Sequence, residues 1–290
     1  MNTLKPVTIS LTLIMLLSSA CAASVPSPTA SPQPTIAIST QTVQPTEVPG
    51  ASVRLTIIYD NTTEDPHLAV EWGFSALVEY KGHTVLFDTG LDGPSLMGNM
   101  EVLGVNPELI EAVVLSHEHG DHTGGLQDLL ATGIQPDIYI PSAMAGMVTQ
   151  EQREQYTVIE VSDPVEIVPG MFSTGELIGS VPEQGLVVET PEGIVVITGC
   201  AHPGIVRMVQ KASEIVDGEI ALVIGGFHLG SYNSAYIDRI IADFRSMGVK
   251  QLTPTHCTGE QQIAQIAEAY GAEYIPGGAG AVIVIGELTP

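Results

Sequence analysis

The chain has 290 residues, 44% of them hydrophobic, which is enough to bury a full core in one large domain. Its 33 acidic residues against 9 lysines and arginines give a formal net charge of −24. Long-range attraction to a phosphate backbone is therefore absent, so the expected partner is a small-molecule substrate and no nucleic acid.

Lys5 precedes an apolar run over residues 7–17, too short and too interrupted to span a bilayer but suited to the hydrophobic region of a signal peptide. Ser18-Ser19-Ala20-Cys21 follows and resembles the lipobox of bacterial lipoproteins, in which the cysteine is lipidated and becomes the new N-terminus. Ser18 stands where an aliphatic residue is usual, and ordinary cleavage near Ala20 or Ala22 is the competing reading. Residues 1–21 are thus expected to direct export, with Cys21 as a lipid anchor to the cell envelope and the only membrane contact. Residues 22–50 hold six prolines and a single charge, Glu47, so they lack the apolar surface needed to order themselves and read as a linker. The folded domain is expected over residues 51–290.

Short β-branched runs at 53–59, 74–80 and 84–87, the last two separated by Lys81-Gly82-His83, predict an antiparallel start. Residues 112–115 form a continuous apolar strand that ends at a histidine-rich stretch. After a less regular middle, 186–189 and 194–198 predict a hairpin, and Pro203 is expected at the first position of a helix that buries Ile205, Met208, Val209 and Ala212. A strand at 220–224 and a helix burying Tyr236, Ile237, Ile240, Ile241 and Phe244 come next. Residues 251–254 lead to His256, and Thr258 with Gln261 predicts a capping box for a helix burying Ile263, Ile266, Ala267 and Tyr270. A last strand is expected at 281–285. The order, β-rich first and then alternating, predicts a layered α/β fold whose histidines share a rim of loops.

Ser116-His117-Glu118-His119-Gly120-Asp121-His122 packs three histidines and two acids into a few residues, a density that points to metal ligation, because neutral imidazole is the commonest protein ligand for zinc and similar ions. In an extended segment His117 and His119 point the same way, while a turn at Gly120 swings Asp121 and His122 toward a second centre. This His-x-His-x-Asp-His motif after a buried strand, with Phe87-Asp88-Thr89-Gly90 upstream, resembles the metallo-β-lactamase superfamily. Thr198-Gly-Cys-Ala-His202-Pro-Gly, Gly225-Gly-Phe-His228-Leu and Pro254-Thr-His256-Cys-Thr-Gly are similar to its branch named for dihydropterin-ribofuranosylaminobenzene phosphate synthase.

The resemblance implies an αββα sandwich of two packed mixed sheets flanked by helices. It implies one metal held by His117, His119 and His202 and a second held by Asp121, His122 and His256, with Asp88 orienting the ligands. One or two divalent ions are expected, zinc first, with iron or manganese as alternatives. The chain departs from the family in one respect: the aspartate that usually bridges the metals should fall near Gly225 or Gly226, and no carboxylate occurs between Glu219 and Asp238. His228 is the polar residue nearest that gap and is read, with Asp121, as a catalytic candidate, by ligation or by substrate contact. Cys200 and Cys257 each neighbour a site histidine, which fits packing, a role behind the ligands, or one disulfide. His83 reads as a surface residue, His67 as a loop residue, and Trp72 as core or pocket wall.

The expected chemistry is hydrolysis of a small-molecule ester, amide or phosphoester by hydroxide generated on the metal. Two alternatives are a transferase like the named branch, for which export is unfavourable, and a non-catalytic lipoprotein that captures metal or ligand at the envelope. Iron-based oxygen chemistry is disfavoured, since diiron members of the superfamily tend to carry glutamate where His119 stands.

Overall fold

A computed structural model describes residues 52–286. The signal peptide, Cys21 and linker expected over residues 1–50 lie outside the described residues, as do Ala51 and residues 287–290. Six strands, β1 (Val53–Tyr59), β2 (Ser75–Tyr80), β3 (His83–Phe87), β4 (Ala112–Val114), β5 (Asp137–Pro141) and β6 (Val158–Val161), make most of one sheet. Six more, β7 (Val165–Val168), β8 (Met171–Ser173), β9 (Leu186–Thr190), β10 (Gly193–Thr198), β11 (Ile220–Gly226) and β12 (Gln251–Thr255), make a second, and β13 (Val282–Ile285) returns to the first. The sheet orders are β13-β1-β2-β3-β4-β5-β6 and β12-β11-β10-β9-β8-β7. Both sheets are mixed: β1, β2 and β3 pair antiparallel, β3 to β6 parallel, β8, β9 and β10 antiparallel, and β10 to β12 parallel.

The alternation of side chains across each strand decides which layer they join. Val195 and Ile197 of β10 point into the core between the sheets, where they meet Leu55, Ile57, Val78, Val85 and Leu222. Ile194 and Val196 of the same strand point outward and are covered by the helices α5 (Ile205–Ile215), α6 (Ser234–Ser246) and α7 (Glu260–Tyr270). On the far side, Leu77, Leu86 and Val113 pack beneath α1 (Gly93–Leu103) and α3 (Leu126–Ala131), between which lies the short α2 (Gly120–Thr123). A further short helix, α4 (Gln150–Gln155), precedes β6. Strands covered on both faces explain the nearly continuous apolar runs, and each fully buried branched side chain contributes about 1.5–3 kcal/mol of hydrophobic stabilisation. The arrangement is the αββα sandwich expected from the sequence. Among the described residues no helix is long and apolar enough to cross a membrane.

Two helix starts differ from expectation. Pro203 is not the first residue of α5; Gly204, at φ 100°, occupies the cap position and the helix begins at Ile205. The capping box at Thr258 and Gln261 does not form either. Residues His256–Thr258 make a 3₁₀ turn, Gly259 caps α7 without a side-chain bond, and the Thr258 hydroxyl instead accepts the Phe227 N–H at 3.0 Å. A tertiary donor from the end of β11 outcompetes the local one, because a buried backbone N–H must find a partner. The middle of the chain, which carries no clear period, folds as β5 to β8 with a 3₁₀ turn and α4 between them.

Candidate metal centre

All the segments singled out by their histidines end at one rim. The chain leaves β4 through Leu115 and Ser116, bends at His117 and Glu118 where an extended run was expected, passes His119 at ψ 142°, and turns at Gly120 into α2, which carries Asp121 and His122. His202 follows β10, His228 follows β11, and His256 follows β12. Four non-glycine residues at this rim, Asp88, Ala201, His228 and His256, take left-handed φ values of 57°, 60°, 53° and 48°. Such conformations cost free energy and persist where the surrounding structure over-determines them, as at ligand sites.

Two triads result. His117, His119 and His202 bring one ligating atom each to within 4.8 Å of one another, and so do Asp121, His122 and His256. His117 Nε2 lies 3.1 Å from His119 Nδ1, and His122 Nε2 lies 3.3 Å from His256 Nε2. Asp121 Oδ2 stands 3.3 Å from His256 Nε2 and 3.7 Å from His122 Nε2. The triads adjoin, with the rings of His117 and His122 4.2 Å apart between centroids. His228, largely exposed, sets its ring 4.3 Å from that of His202. The sequence-derived candidates are thus brought together, His228 included.

A shell of buried and partly buried polar groups aims these rings. Asp88 takes the Ser116 N–H and hydroxyl on its two oxygens, each at 2.7 Å, and its Oδ2 also lies 2.7 Å from His122 Nδ1. Ser116 Oγ sits 2.9 Å from His117 Nδ1. Asn61 Oδ1 lies 3.0 Å from His256 Nδ1 while its amide donates to the His256 carbonyl. The Glu183 carboxylate, wholly buried, accepts backbone N–H bonds from Gly199, Cys200, Ala201 and His202. Burial pushes its carboxyl up to about 7 against the pull of those donors. Gly199 must lack a side chain, since a Cβ there would meet Ser116 Oγ at 2.1 Å.

The sequence did not single out Glu183, Asn61 or the cradle around Gly199, because none has a spacing signal; only the fold shows that each packs against a loop carrying a site histidine. Trp72, by contrast, resolves as wall rather than core: it is 55% exposed and its ring lies 4.9 Å from that of His256. His67 and His83 instead pair with Asp65 and Glu111, at 2.8 and 2.9 Å.

Burial favours the neutral imidazole at His117 and His202. Burial, reinforced by the like charges of His122, His202 and His119, holds His117 far below the ordinary histidine range. Burial and the neighbouring His228 and His119 push His202 down to about 4. Two rings shift the other way: Asp88 holds His122 up in spite of complete burial, and the Cys257 thiol holds His228 up against its partial burial.

These groups fit a divalent metal. His202 Nε2 is buried without a hydrogen-bond partner, a costly state for a nitrogen unless it ligates. The N···N and N···O separations of 3.1–3.7 Å also match the edge of roughly 3.3 Å that tetrahedral coordination at about 2.0–2.1 Å requires. Three imidazoles in one triad, and two with a carboxylate in the other, are ligand types suited to zinc and related ions.

Fold and rim together define a metallo-β-lactamase-fold protein. The Metallo-beta-lactamase superfamily profile matches residues 73–211. The chain is 28% identical over 261 residues to the 7,8-dihydropterin-6-methyl-4-(β-D-ribofuranosyl)-aminobenzene-5'-phosphate synthase of Methanocaldococcus jannaschii, an alignment covering 73% of this chain and 89% of that protein. Among solved structures it resembles a metal-dependent hydrolase of the β-lactamase superfamily, with 27% identity, a TM-score of 0.68 and coverage of 81% of this chain and 100% of the other. The metallo-β-lactamase fold protein YhfI of Bacillus subtilis shares the fold at 17% identity and a TM-score of 0.60, over 81% and 99% of the two chains.

Proposed function

We propose that the chain is a metal-dependent hydrolase acting on an ester, amide or phosphoester of a small molecule. The observation that carries this reading is the pair of adjoining triads, His117, His119, His202 and Asp121, His122, His256, at one loop rim. Divalent ions there, zinc first and iron or manganese as alternatives, would supply Lewis acidity that activates water and polarises the scissile carbonyl or phosphoryl group.

The chain's own residues prepare for that chemistry. Ser116 and Asn61 engage the Nδ1 atoms of His117 and His256, and Asp88 that of His122, which leaves the Nε2 atoms to face the centre. Against the raising effect of burial, contacts with His256 and His122 hold the Asp121 carboxyl well below the usual range, so it stays an anionic donor. His228, exposed beside His202, is placed to contact substrate, and Trp72 borders the entrance. The test is hydrolysis of a panel of small esters, amides and phosphoesters by zinc-reconstituted protein. His117→Ala with His119→Ala should abolish both bound metal and turnover, and unchanged activity would reject the reading.

A second reading, a transferase that couples an aromatic amine to a pterin, is favoured by the similarity to the archaeal synthase. Product analysis with and without an acceptor amine separates the two, because a hydrolase gives no coupled product. We also propose export and lipid anchoring through Cys21, on the strength of the apolar run and lipobox-like sequence. Incorporation of labelled palmitate that is lost in Cys21→Ser supports the anchor, and no incorporation refutes it.

A further inference from the structure

The superfamily resemblance calls for a carboxylate between the two triads, from a residue near Gly225 or Gly226, and neither glycine has room for one. A Cβ on Gly225, whose φ is +117°, would stand 2.0 Å from the Thr198 carbonyl oxygen. A Cβ on Gly226 would stand 2.4 Å from the Gly199 carbonyl oxygen and 2.7 Å from Cys257 Sγ. The space is therefore filled by backbone and by sulfur.

Beside it lies the second thiol. Cys200 is buried and unpaired, and its Sγ is 3.3 Å from His122 Nε2. The same sulfur falls within 4.8 Å of ligating atoms in three sets: with His117 and His122, with His202 and His228, and with His256 and Cys257. One atom thus reaches imidazoles of both triads. Ligands at about 2.0–2.1 Å for nitrogen and about 2.3 Å for sulfur around a tetrahedral ion stand roughly 3.5 Å apart, close to the separation from His122.

We propose that the Cys200 thiolate is the ligand shared by the two metal positions, standing in for the absent aspartate. The inference rests on the reading of the rim as a metal centre. When the sulfur–metal bond forms, the thiol proton is released to solvent, and no oxidation is involved. Cys257 is the supporting residue: its thiol donates to the Cys200 carbonyl at 3.6 Å and steadies the loop that carries the ligand. A thiolate among imidazoles also biases the site toward zinc and away from manganese.

The test loads the reduced full chain with cobalt in a Cys21→Ser background. The expected result is two cobalt ions per chain with a near-ultraviolet sulfur-to-cobalt charge-transfer band. That band is kept in Cys257→Ser and lost in Cys200→Ser, while circular dichroism shows the fold unchanged. Zinc-loaded protein should show a sulfur neighbour at about 2.3 Å by X-ray absorption, and if Cys200→Ser does not fold, retention of that neighbour in Cys257→Ser supports the assignment. Loss of the sulfur signal in Cys257→Ser overturns it, as does a band that survives in Cys200→Ser. Cobalt bound with no sulfur signal overturns the thiolate alone; no cobalt bound at all overturns the metal centre with it.

Discussion

Asp88 Oδ2 lies 2.7 Å from His122 Nδ1, and both side chains are wholly buried. Because the same carboxylate also holds the Ser116 N–H and hydroxyl, one residue at the end of β3 fixes the start of the histidine loop and the orientation of its last histidine. A carboxylate behind a ligating histidine raises its basicity and fixes which nitrogen faces the ion.

Replacing Asp88 by Asn keeps the shape and removes the charge. Metal affinity should fall about 10- to 100-fold, the usual effect of losing a group that orients a ligand. Competition with a chromogenic chelator measures it, and an affinity equal to that of the wild type would show that Asp88 serves only the backbone at Ser116.

Trp72 offers a separate test of the rim as a substrate site. Its ring rests against His256 yet remains 55% exposed, so it shapes the entrance without holding the loop together. Trp72→Ala should leave metal content unchanged and raise KM roughly 2- to 10-fold, as expected for loss of an aromatic contact worth about 0.5–1.5 kcal/mol. A change in kcat alone would show that the ring acts on His256 and not on substrate.

The legible part of the site is its set of clustered histidines, and the reason is local. His117 to His122 sit in one short segment, and His202, His228 and His256 each follow an apolar strand whose period the sequence displays. The fold followed from the same strands and from the helical faces at 205–212 and 237–244, where burial agrees with the pattern, while Tyr236, expected to be buried, is only partly so. What the sequence hid is tertiary. Glu183 lies in the irregular Ser180-Val181-Pro182-Glu183 stretch and meets its four donors across 16 to 19 residues. Thr258 matched a local capping pattern but was claimed by Phe227, 31 residues away. Neither partner can be read from spacing along the chain.

Glu183 carries the third prediction. Its four backbone bonds hold the loop from Gly199 to His202, which carries both Cys200 and a histidine of the rim. Glu183→Ala leaves those donors without a partner inside the protein, and each unmatched buried donor costs about 1–3 kcal/mol, so the loss should be about 3 kcal/mol or more. For a domain of this size that lowers Tm by roughly 6–12 °C. Glu183→Gln keeps one acceptor oxygen and should lose less. Calorimetry of both variants checks the order, and an Ala variant as stable as the wild type would mean that water satisfies the loop.

Asp60 gives the pH dependence. Its carboxyl is almost wholly buried with Oδ2 lacking a partner, and burial pushes it up to about 6 in spite of the opposing influence of His256. The folded state therefore binds this proton more tightly than the unfolded chain does. The stability that Asp60 contributes is fully present below the unfolded pKa near 4 and is lost as pH rises through 6. A shift of about two units corresponds to roughly 3 kcal/mol. In metal-free protein, Asp60→Asn should match the wild type at pH 4 and exceed it by up to that amount at pH 7, with the gap opening between pH 4 and 6. Urea unfolding across that range measures the gap. A difference that stays constant with pH would show that Asp60 keeps one protonation state in the folded and unfolded chains alike.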